Sequence, residues 1–433
     1  MWKEQHLTVA DKSAFRQNLN ELCKNFDPFC VLDSCDFYTK ERMQLPLPYY
    51  HDYDLLAGLG ATEKLTPQLG HSFSALEDFA GKNCWKFGFL TYDLKNETEN
   101  LHSENFDGIE APPLFFFIPQ IVILLKGKKA TLISNDENLM KETGRKLSSP
   151  PSDSGSFSTK NNLTRRMDKD TYVKKTRRLI EHIARGDIYE INFCQENYAE
   201  DAEINPYHTF SMIQQEAPAP FATFMRSGDI YIMSATMERF LKNKSGKLIS
   251  QPIKGTIKRG INSTDDKKLA ATLKNDPKER AENVMIVDLV RNDLSRNAQP
   301  GTVSVEELFG IYPFPQVHQM ISTVSALHDP AVSAIQALKD AFPMGSMTGA
   351  PKLMAMELIE KYEMTRRGIF SGSAGYIDPA GNFDFNVIIR TILYNQANKY
   401  LSLQVGSAIT FDASPEKEWE ECELKIRKLS QFC

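Results

Sequence analysis

Residues 230–256 read IYIMSATMERFLKNKSGKLISQPIKGT, two β-patterned runs that meet at the polar turn KSGK, residues 244–247. A short polar turn containing glycine between two such runs predicts an antiparallel hairpin, in which the numbers of paired residues have a constant sum. A three-residue turn centred on Gly246 places Glu238 opposite Lys254, whereas a two-residue turn shifts the register by one residue. In the first register the two Cβ atoms would lie about 4.5–5.5 Å apart. The hairpin therefore predicts a carboxylate beside a lysine within a sheet.

This pair has two chemical interpretations. On an exposed strand, Glu238 and Lys254 would form a cross-strand ion pair worth about 0.2–1 kcal/mol. In an enclosed cavity they would form a nucleophile and its acid or base partner. A lysine attacks only when it is neutral, so a nucleophilic Lys254 needs desolvation or direct proton transfer to Glu238. Gly255 lets a ligand approach the backbone and leaves the amide of Thr256 free to bind an anion.

The composition is that of a globular protein without a surplus of basic side chains. Of 433 residues, 41% are hydrophobic and 25% are charged, and 51 basic against 56 acidic side chains give a net charge of −5. This balance argues against nucleic acid as a partner. The N-terminal MWKEQHLTVADKSAF has charges where a signal peptide has its apolar core, and the longest apolar run, residues 121–125, is too short to cross a bilayer. We therefore expect a cytoplasmic protein that does not contact membranes.

The seven cysteines show no CxxC spacing. Their odd number and irregular spacing predict reduced thiols rather than a disulfide framework or a zinc site.

The composition of the chain changes at residues 147–163, where serine, proline, glycine and asparagine replace patterned apolar positions. We interpret this segment as a linker or loop. Residues 1–146 carry runs of β-branched and aromatic residues, which predict an N-terminal region made mostly of strands. Residues 164–433 alternate strands with patterned helices. Apolar spacing and capping residues predict three helices, at about 170–185, 278–296 and 415–432.

Two pairs of glutamates repeat one spacing. Glu279 and Glu282 share a face of the second predicted helix, and Glu418 and Glu421 share a face of the third, with Lys425 one turn further. Such pairs are common on solvated faces, where water screens their repulsion. If both faces meet in one cavity, they offer the hard oxygen ligands that Mg²⁺ takes together with water and substrate oxygens. The spacing leaves both interpretations open.

Small residues supply a candidate site for an anionic ligand. The segment FPMGSMTGAPK, residues 342–352, fails the spacing of a nucleotide-binding phosphate loop. The stretches 370–376 and 405–410 carry small residues that expose backbone amides beside Arg390. An arginine fork together with such amides suits a small polycarboxylate, whereas tight turns and a structural arginine are the alternative.

Ordered motifs along the chain carry a resemblance to a known family. GDIYEINFCQ, PIKGT, KERAENVMIVDLVRNDLSR, GSMTGAPK, RGIFSGSAGY, NVIIRT and PEKEWEE closely resemble the chorismate-utilising enzymes, the family of anthranilate, isochorismate, salicylate and aminodeoxychorismate synthases. The likeness is collinear from about residue 165 to the end, and PFCVLDS and WKFGFLTYDLKNE extend it over the N-terminal third. It implies an α+β fold of the anthranilate-synthase type, an α-β sandwich with two facing antiparallel β-sheets flanked by helices. Residues 164–433 would form the chorismate-binding catalytic domain.

Within the family, the lysine of PIKGT resembles component I of the aminodeoxychorismate synthases, whereas anthranilate synthases have alanine there. The resemblance implies that Lys254 attacks C2 of chorismate and that Glu238, as general acid, protonates the departing C4 hydroxyl. Ammonia then enters at C4 while the lysine leaves. The product would be 4-amino-4-deoxychorismate, a precursor of p-aminobenzoate and folate.

The resemblance also implies residues that bind the metal, the substrate and a regulatory ligand. Ser34 matches the edge of a pocket that holds tryptophan in some relatives. The implied Mg²⁺ ligands are Glu282 and Glu421, supported by Glu279 and Glu418. The implied carboxylate-binding positions are Tyr376, Arg390, Gly406, Ser407 and Lys425, to which the backbone argument adds Gly255 and Thr256.

Three positions depart from the family pattern. Residue 190 is glutamate where lyase members have glutamine and isochorismate-forming members have lysine, so Glu190 either rejects water as a nucleophile or is structural. The usual SPE reads TME before Arg239. The histidine of anthranilate synthases is replaced by Gln319, which argues against elimination of pyruvate. The remaining alternatives are component I of anthranilate synthase and a non-catalytic subunit that binds chorismate or tryptophan.

The source of ammonia must be another protein. A class I glutamine amidotransferase needs a cysteine on a tight Gly-x-Cys-x-Gly elbow, and none of the seven cysteines has that setting. We therefore expect a separate glutamine amidotransferase subunit as partner, with free ammonium as a poorer substitute.

Overall fold

Helices and strands alternate along most of the chain. A computed structural model describes residues 2–37, 51–151 and 161–433, and most of the segment predicted as a linker or loop at 147–163 lies outside these ranges. Within them, the helices are α1 (Lys12–Cys23), α2 (Ser72–Ala80), α3 (Lys95–Thr98), α4 (Glu137–Leu147), α5 (Lys169–Ala184), α6 (Pro206–Glu216), α7 (Ser263–Asn275), α8 (Pro277–Ser295), α9 (Ala334–Ala341), α10 (Lys352–Tyr362) and α11 (Pro415–Ser430).

The strands of the described residues form two antiparallel sheets. In chain order they are β1 (Lys3–Thr8), β2 (Phe29–Asp33), β3 (Leu55–Leu59), β4 (Glu63–Leu65), β5 (Lys86–Leu90), β6 (Leu114–Ile118), β7 (Ile121–Lys126), β8 (Lys129–Ser134), β9 (Thr164–Arg165), β10 (Glu190–Ala199), β11 (Ala222–Ser227), β12 (Ile230–Ser234), β13 (Arg239–Lys244), β14 (Lys247–Gln251), β15 (Ile253–Lys258), β16 (Ser304–Pro313), β17 (Val317–Leu327), β18 (Gly349–Ala350), β19 (Ser373–Ile377), β20 (Phe383–Asn386), β21 (Thr391–Asn395) and β22 (Tyr400–Ile409).

Both sheets contain strands from the N-terminal third and from the rest of the chain. The first sheet has the order β1-β8-β7-β3-β2-β11-β12-β21-β22-β10-β18, with β9 beside β10, and the second has the order β15-β17-β14-β13-β20-β19-β5-β6-β4, with β16 beside β17. The two parts of the chain join where β2 pairs with β11 and where β5 pairs with β19. The division into domains predicted from composition stays a prediction.

Alternate residues of the central strands enter two different cores. Phe29 and Val31 of β2 pack in one hydrophobic cluster with α1, α5, α6 and α11, whereas Cys30 between them enters a second cluster. The second cluster contains side chains of both sheets and of α8 and α9. Strand side chains alternate between the two faces of a sheet, so the second cluster is the layer between the sheets. This arrangement confirms the predicted α+β sandwich.

The patterned helices are also confirmed. α5 begins after Asp168, whose carboxylate accepts a hydrogen bond from the amide of Thr171, and it is followed by Gly186 with φ +83°. α11 follows Ser414 as expected, although the Ser414 side chain makes no capping hydrogen bond. Among the described residues, no helix is long and apolar enough to cross a membrane.

The hairpin has the two-residue turn named as the alternative, so the register that places Glu238 opposite Lys254 is wrong. Lys244 pairs with Lys247 across a two-residue turn, and Arg239 pairs with Gln251. β14 then ends, and Lys254 lies on β15, which pairs with β17 instead of β13. Glu238 and Lys254 are therefore not cross-strand partners, because the chain changes neighbours at Pro252.

Close contact between the two sheets generates a stability prediction. A Cβ atom added at Gly58 on β3 would lie 2.6 Å from a ring carbon of Phe87 on β5. We expect Gly58→Ala to lower the free energy of unfolding by about 1–3 kcal/mol, because the buried ring must shift. Gly81 follows α2 with φ −60° and has room for a Cβ.

The matched substitution Gly81→Ala is expected to be neutral or to stabilise the protein by up to about 1 kcal/mol. Urea-induced unfolding of both variants measures the difference. Equal effects of the two substitutions would contradict the proposed packing between the sheets.

Candidate active site

A β-bulge explains how a strand carries a lysine into the interior. The register of β15 against β17 shifts between Ile253 and Thr256, so the ladder contains an extra residue there. Gly255 has φ +100°, a conformation that side chains disfavour, and a Cβ at this position would lie 3.0 Å from Glu279 Oε2. A bulge redirects the side chain beside it. Lys254 is accordingly only 8% exposed.

The Lys254 ammonium forms an ion pair with a carboxylate from the other sheet. Its Nζ donates to Oε1 of Glu190, at the start of β10, and Glu190 is 1% exposed. The second oxygen, Oε2, is buried and has no hydrogen-bond partner among the residues that the structure describes. Burial lowers the pKa of Lys254, but Glu190, and then Glu282 and Glu238, outweigh this effect, so the pKa is raised. The lysine is therefore charged at neutral pH.

Glu238 lies near enough to influence the charge of Lys254 and has a different protonation state from the Glu190 carboxylate. It directly precedes β13 and is buried. Burial raises the pKa of Glu238 to about 7, although the Ser346 hydroxyl, the Lys254 charge and the amide of Ile253 act in the opposite direction. A carboxyl group with this pKa is largely protonated on the acid side of neutrality and can donate a proton. Lys254 thus contacts a carboxylate and has a carboxylic acid in its surroundings.

The two glutamate pairs predicted to converge do influence one another. Burial raises the pKa of Glu279 to about 7, with further contributions from Glu282 on its own helix, α8, and from Glu421 on α11. Burial also raises the pKa of Glu418, and Glu421 contributes again. Such coupling between carboxylates requires that the faces of α8 and α11 approach each other. Among the described residues, however, no group of three or more histidine, cysteine, aspartate or glutamate side chains is already arranged around a metal position.

Lysines occupy part of the space between these carboxylates. Lys425 on α11 contacts Glu421 at 2.6 Å and donates to the Gly406 carbonyl at 2.7 Å. Lys278 lies 3.7 Å from Glu282. Ammonium groups here compensate the negative charge that a divalent cation would otherwise balance. Opposing charges, Lys425 first, hold the pKa of Glu421 below its usual range although burial acts in the other direction.

Strand β22 and the loop before β21 lie beside the glutamates of α11. Gly406 and Ser407 pair with Cys194 and Phe193 on β10, and the Ser407 hydroxyl lies 2.9 Å from that of Tyr172. Arg390 has φ +52° and makes no side-chain hydrogen bond or ion pair with the described part of the chain. Burial lowers the pKa of Arg390, and Glu421 acts against this effect. The structure therefore brings Arg390, Gly406 and Ser407 together with the α11 glutamates.

A buried asparagine that sequence reasoning missed supports the bulge. Asn283 is 1% exposed, its amide donates to the Lys254 carbonyl at 3.4 Å, and its carbonyl accepts from Ser322 at 2.6 Å. The signal in the sequence was a polar residue at a core-facing position of α8, next to Glu282. Ser346, which lies beside Glu238, was likewise present only as part of a motif. Thr256 donates to Gln319 at 2.7 Å, so its hydroxyl is not free.

Tyr376 lies apart from this region, and its role as a substrate-binding residue stays a prediction. It lines a separate cavity together with Ser34, and charges near it come from Asp384, Asp52 and Arg239 rather than from the α11 glutamates. Residues 374 and 376 share one face of β19, and this face turns towards the N-terminal cavity. The pocket edge predicted at Ser34 therefore has Tyr376 as a wall.

Comparison with known proteins identifies the family. Residues 36–431 match the model of a family described as chorismate binding enzyme. The chain belongs to the chorismate binding enzyme family. The match includes strands of both sheets and contains every candidate residue of the active site, which confirms the family predicted from the sequence motifs.

Several curated relatives carry the name aminodeoxychorismate synthase, and others are named anthranilate synthase component 1. Aminodeoxychorismate synthase of Arabidopsis thaliana is 34% identical over 378 residues, which are 80% of this chain and 40% of that protein. Aminodeoxychorismate synthase component 1 of Escherichia coli is 34% identical over 345 residues, which are 79% of this chain and 75% of that protein. The chain thus spans less than half the length of the plant protein. These names agree with the function predicted from Lys254.

A solved structure supports the fold. Anthranilate synthase component I of Streptococcus pneumoniae superposes with a TM-score of 0.78 at 22% identity, covering 92% of this chain and 96% of that one. At this identity the likeness establishes the fold, and the chemistry must be argued from the residues.

Proposed function

We propose that this chain is component I of an aminodeoxychorismate synthase, which converts chorismate and ammonia to 4-amino-4-deoxychorismate. The observation that carries the proposal is the buried Lys254, which lies at a bulge, contacts Glu190 and is influenced by the charge of Glu238. The relatives named aminodeoxychorismate synthase support it. Anthranilate synthase is disfavoured, because Gln319 and a lysine at residue 254 depart from that enzyme's pattern.

Two residues would carry the covalent chemistry. The neutral amine of Lys254 attacks C2 of chorismate, both ring double bonds shift, and the C4 hydroxyl leaves as water after receiving the proton of Glu238. Ammonia then attacks C4, both double bonds shift back, and the Lys254 amine departs from C2. The product ammonium returns one proton to the Glu238 carboxylate, so the acid is regenerated. A pKa of about 7 for Glu238 suits both proton transfers.

Backbone and cationic groups would position the two carboxylates of chorismate. Arg390, with no ion-pair partner in the described chain, suits one carboxylate, and the amides near Gly406 and Ser407 suit the same ligand. Lys425 adds positive charge at this end of the region. The bulge at Gly255 brings the backbone of Thr256 close to the site without an obstructing side chain.

The four glutamates fit the donor set of Mg²⁺. Glu282 and Glu421 would hold the ion, with Glu279 and Glu418 in support, because carboxylate oxygens are the ligands that Mg²⁺ prefers and the four charges repel each other without a cation. When bound, Mg²⁺ neutralises a carboxylate of the substrate and fixes its orientation. Lys278 and Lys425 would move away from Glu282 and Glu421 to make room.

The need for ammonia and the free cysteines support a partner subunit and a cytoplasmic location. A glutamine amidotransferase subunit would supply ammonia, since the "component 1" in the relatives' names implies a second component. The seven free cysteines are compatible with the reducing cytoplasm. The cavity at Ser34 and Tyr376 is the candidate position for tryptophan.

Replacing Lys254 tests the nucleophile. With chorismate, Mg²⁺ and ammonium, the wild type should give 4-amino-4-deoxychorismate, and without ammonium a chorismate-derived adduct at Lys254 on denaturing mass spectrometry. Lys254→Ala should give no adduct and lose well over about 10³-fold in rate, as expected when a nucleophile is removed. Lys258→Ala on the same strand is the exposed control. Formation of anthranilate or isochorismate by the wild type would contradict the proposal.

The protonation state of Glu238 predicts a pH dependence. Its pKa is raised to about 7, so the acid form is present below this value and disappears above it. Amination at saturating Mg²⁺ and a constant concentration of neutral ammonia should therefore fall as the pH rises through about 7. Saturating Mg²⁺ removes the contribution of Glu279, which titrates in the same range. Glu238→Gln should lose about 10²–10⁴-fold in rate below about pH 7 and should lack the descending limb. A rate that stays constant across neutrality would contradict the role of Glu238.

Metal dependence tests the glutamate cluster. Removing Mg²⁺ with a chelator should abolish activity, and Glu282→Gln should raise the Mg²⁺ concentration needed for half-maximal rate by about 10–100-fold or more. Glu420→Gln on α11 is the matched control, because Glu420 is exposed. A chelator-resistant rate, or equal Mg²⁺ requirements of the two variants, would place the metal elsewhere or remove it from the proposal.

A further inference from the structure

The resting site poses a problem for the proposed covalent step. Nucleophilic attack needs the neutral amine of Lys254, but carboxylates on several sides keep this group charged. Before attack, one of the nearby carboxylates must accept the proton. Bulk water reaches the amine poorly, because Lys254 is 8% exposed.

The geometry leaves one acceptor in contact with the ammonium. Glu238 is the protonated member of the site near neutrality and cannot take a second proton. Glu282 influences Lys254 only at a distance, since its ion-pair contact is with Lys278. Glu190 alone is hydrogen-bonded to Nζ among the described carboxylates. We infer that Glu190 accepts the proton of Lys254 and so generates the nucleophile, an inference that rests on the proposed function.

The surroundings of Glu190 favour this transfer. Hydrogen bonds to a carboxylate stabilise its charged form, and Glu190 accepts one from Lys254 while Oε2 is buried without a partner in the described chain. Glu282 on α8 faces the same site with another negative charge. Transfer of the proton from Lys254 to Glu190 replaces two buried charges with two neutral groups. Since buried charges are costly, this change offsets part of the free energy lost with the ion pair.

The proton balance closes over one cycle. The Lys254 ammonium and the Glu190 carboxylate become an amine and a carboxylic acid, with no proton taken from solvent. The amine attacks C2 while Glu238 protonates the leaving hydroxyl. When ammonia displaces the lysine, the released amine takes its proton back from Glu190. Glu190 thus serves the nucleophile and Glu238 serves the leaving group, and the two carboxyl groups are not interchangeable.

This assignment predicts a particular pH profile for formation of the Lys254 adduct. Internal transfer neither gains nor loses a proton, so the wild-type rate should be flat on the acid side of the limb that Glu238 sets. The charged groups facing the pair are Glu282 and Lys278 on α8, Glu238 before β13 and Glu421 on α11. In Glu190→Gln the amine must lose its proton to solvent. The variant should therefore gain an ascending limb, with a rate that falls about tenfold for each unit of decreasing pH.

The experiment measures adduct formation by rapid quench and intact-mass spectrometry of the full chain, with chorismate and Mg²⁺ and without ammonium. Glu190→Asp keeps an acceptor and should keep the flat profile at a reduced rate, which a merely structural role would not predict. Glu196→Gln is the matched control on the same strand, about 20 Å away, and should keep the wild-type profile. Circular dichroism and melting confirm that each variant is folded.

The outcomes separate this inference from the proposed function. A wild type that forms no adduct overturns the covalent function itself. An adduct in the wild type, with the same flat profile in Glu190→Gln, overturns the inference alone. A wild type with its own ascending limb that Glu190→Gln moves to lower pH would show that Glu190 only holds Lys254 in its charged form, and this result also overturns the inference.

Discussion

Burial of one ammonium group against one carboxylate organises the candidate active site. Lys254 comes from the second sheet and Glu190 from the first, so their ion pair connects the two sheets at the first residue of β10. Neither charge would be stable alone at this depth, because removing a charge from water costs several kcal/mol unless a partner compensates it. The pair therefore forms only when the two sheets pack against each other. The position of Lys254 in turn depends on the bulge at Gly255, where the register of β15 against β17 shifts. Fold and chemistry share this constraint.

The surrounding groups divide into two electrostatic regions. Around Lys254, one carboxylate contacts the ammonium and one carboxylic acid lies nearby, which suits two separate proton transfers. Towards α11, an excess of carboxylates meets Arg390 and Lys425, which suits a cation together with an anionic ligand. Chorismate carries a reacting ring and two carboxylates, and we propose that the two regions bind these two parts of the molecule. This correspondence links the geometry to the family.

The sequence predicted the helices and the glutamate pairs of the candidate site better than it predicted the partner of Lys254. Regular apolar spacing located α5, α8 and α11, and the i, i+3 spacing placed each glutamate pair on one face, since both features depend only on local geometry. The partner of Lys254 could not be found in this way. A two-residue turn, the break at Pro252 and a bulge change the register, and each depends on the strand that β15 pairs with. The position of Tyr376 beside Ser34 could not be predicted for a similar reason, because the direction in which each face of β19 points depends on its sheet neighbours.

The buried glutamates of the candidate site make the free energy of unfolding depend on pH. Burial raises the pKa of Glu238 and Glu279 to about 7, so the folded chain holds these protons more tightly than the unfolded chain does. Their contribution to the free energy of unfolding is therefore greatest at acid pH, and it is lost as the pH rises towards about 7. A ligand that brings positive charge to the glutamates opposes this loss by mass action, because it binds only the folded state. The same repulsion that weakens the free protein at neutral pH thus strengthens its preference for a cation and for the anion that accompanies it.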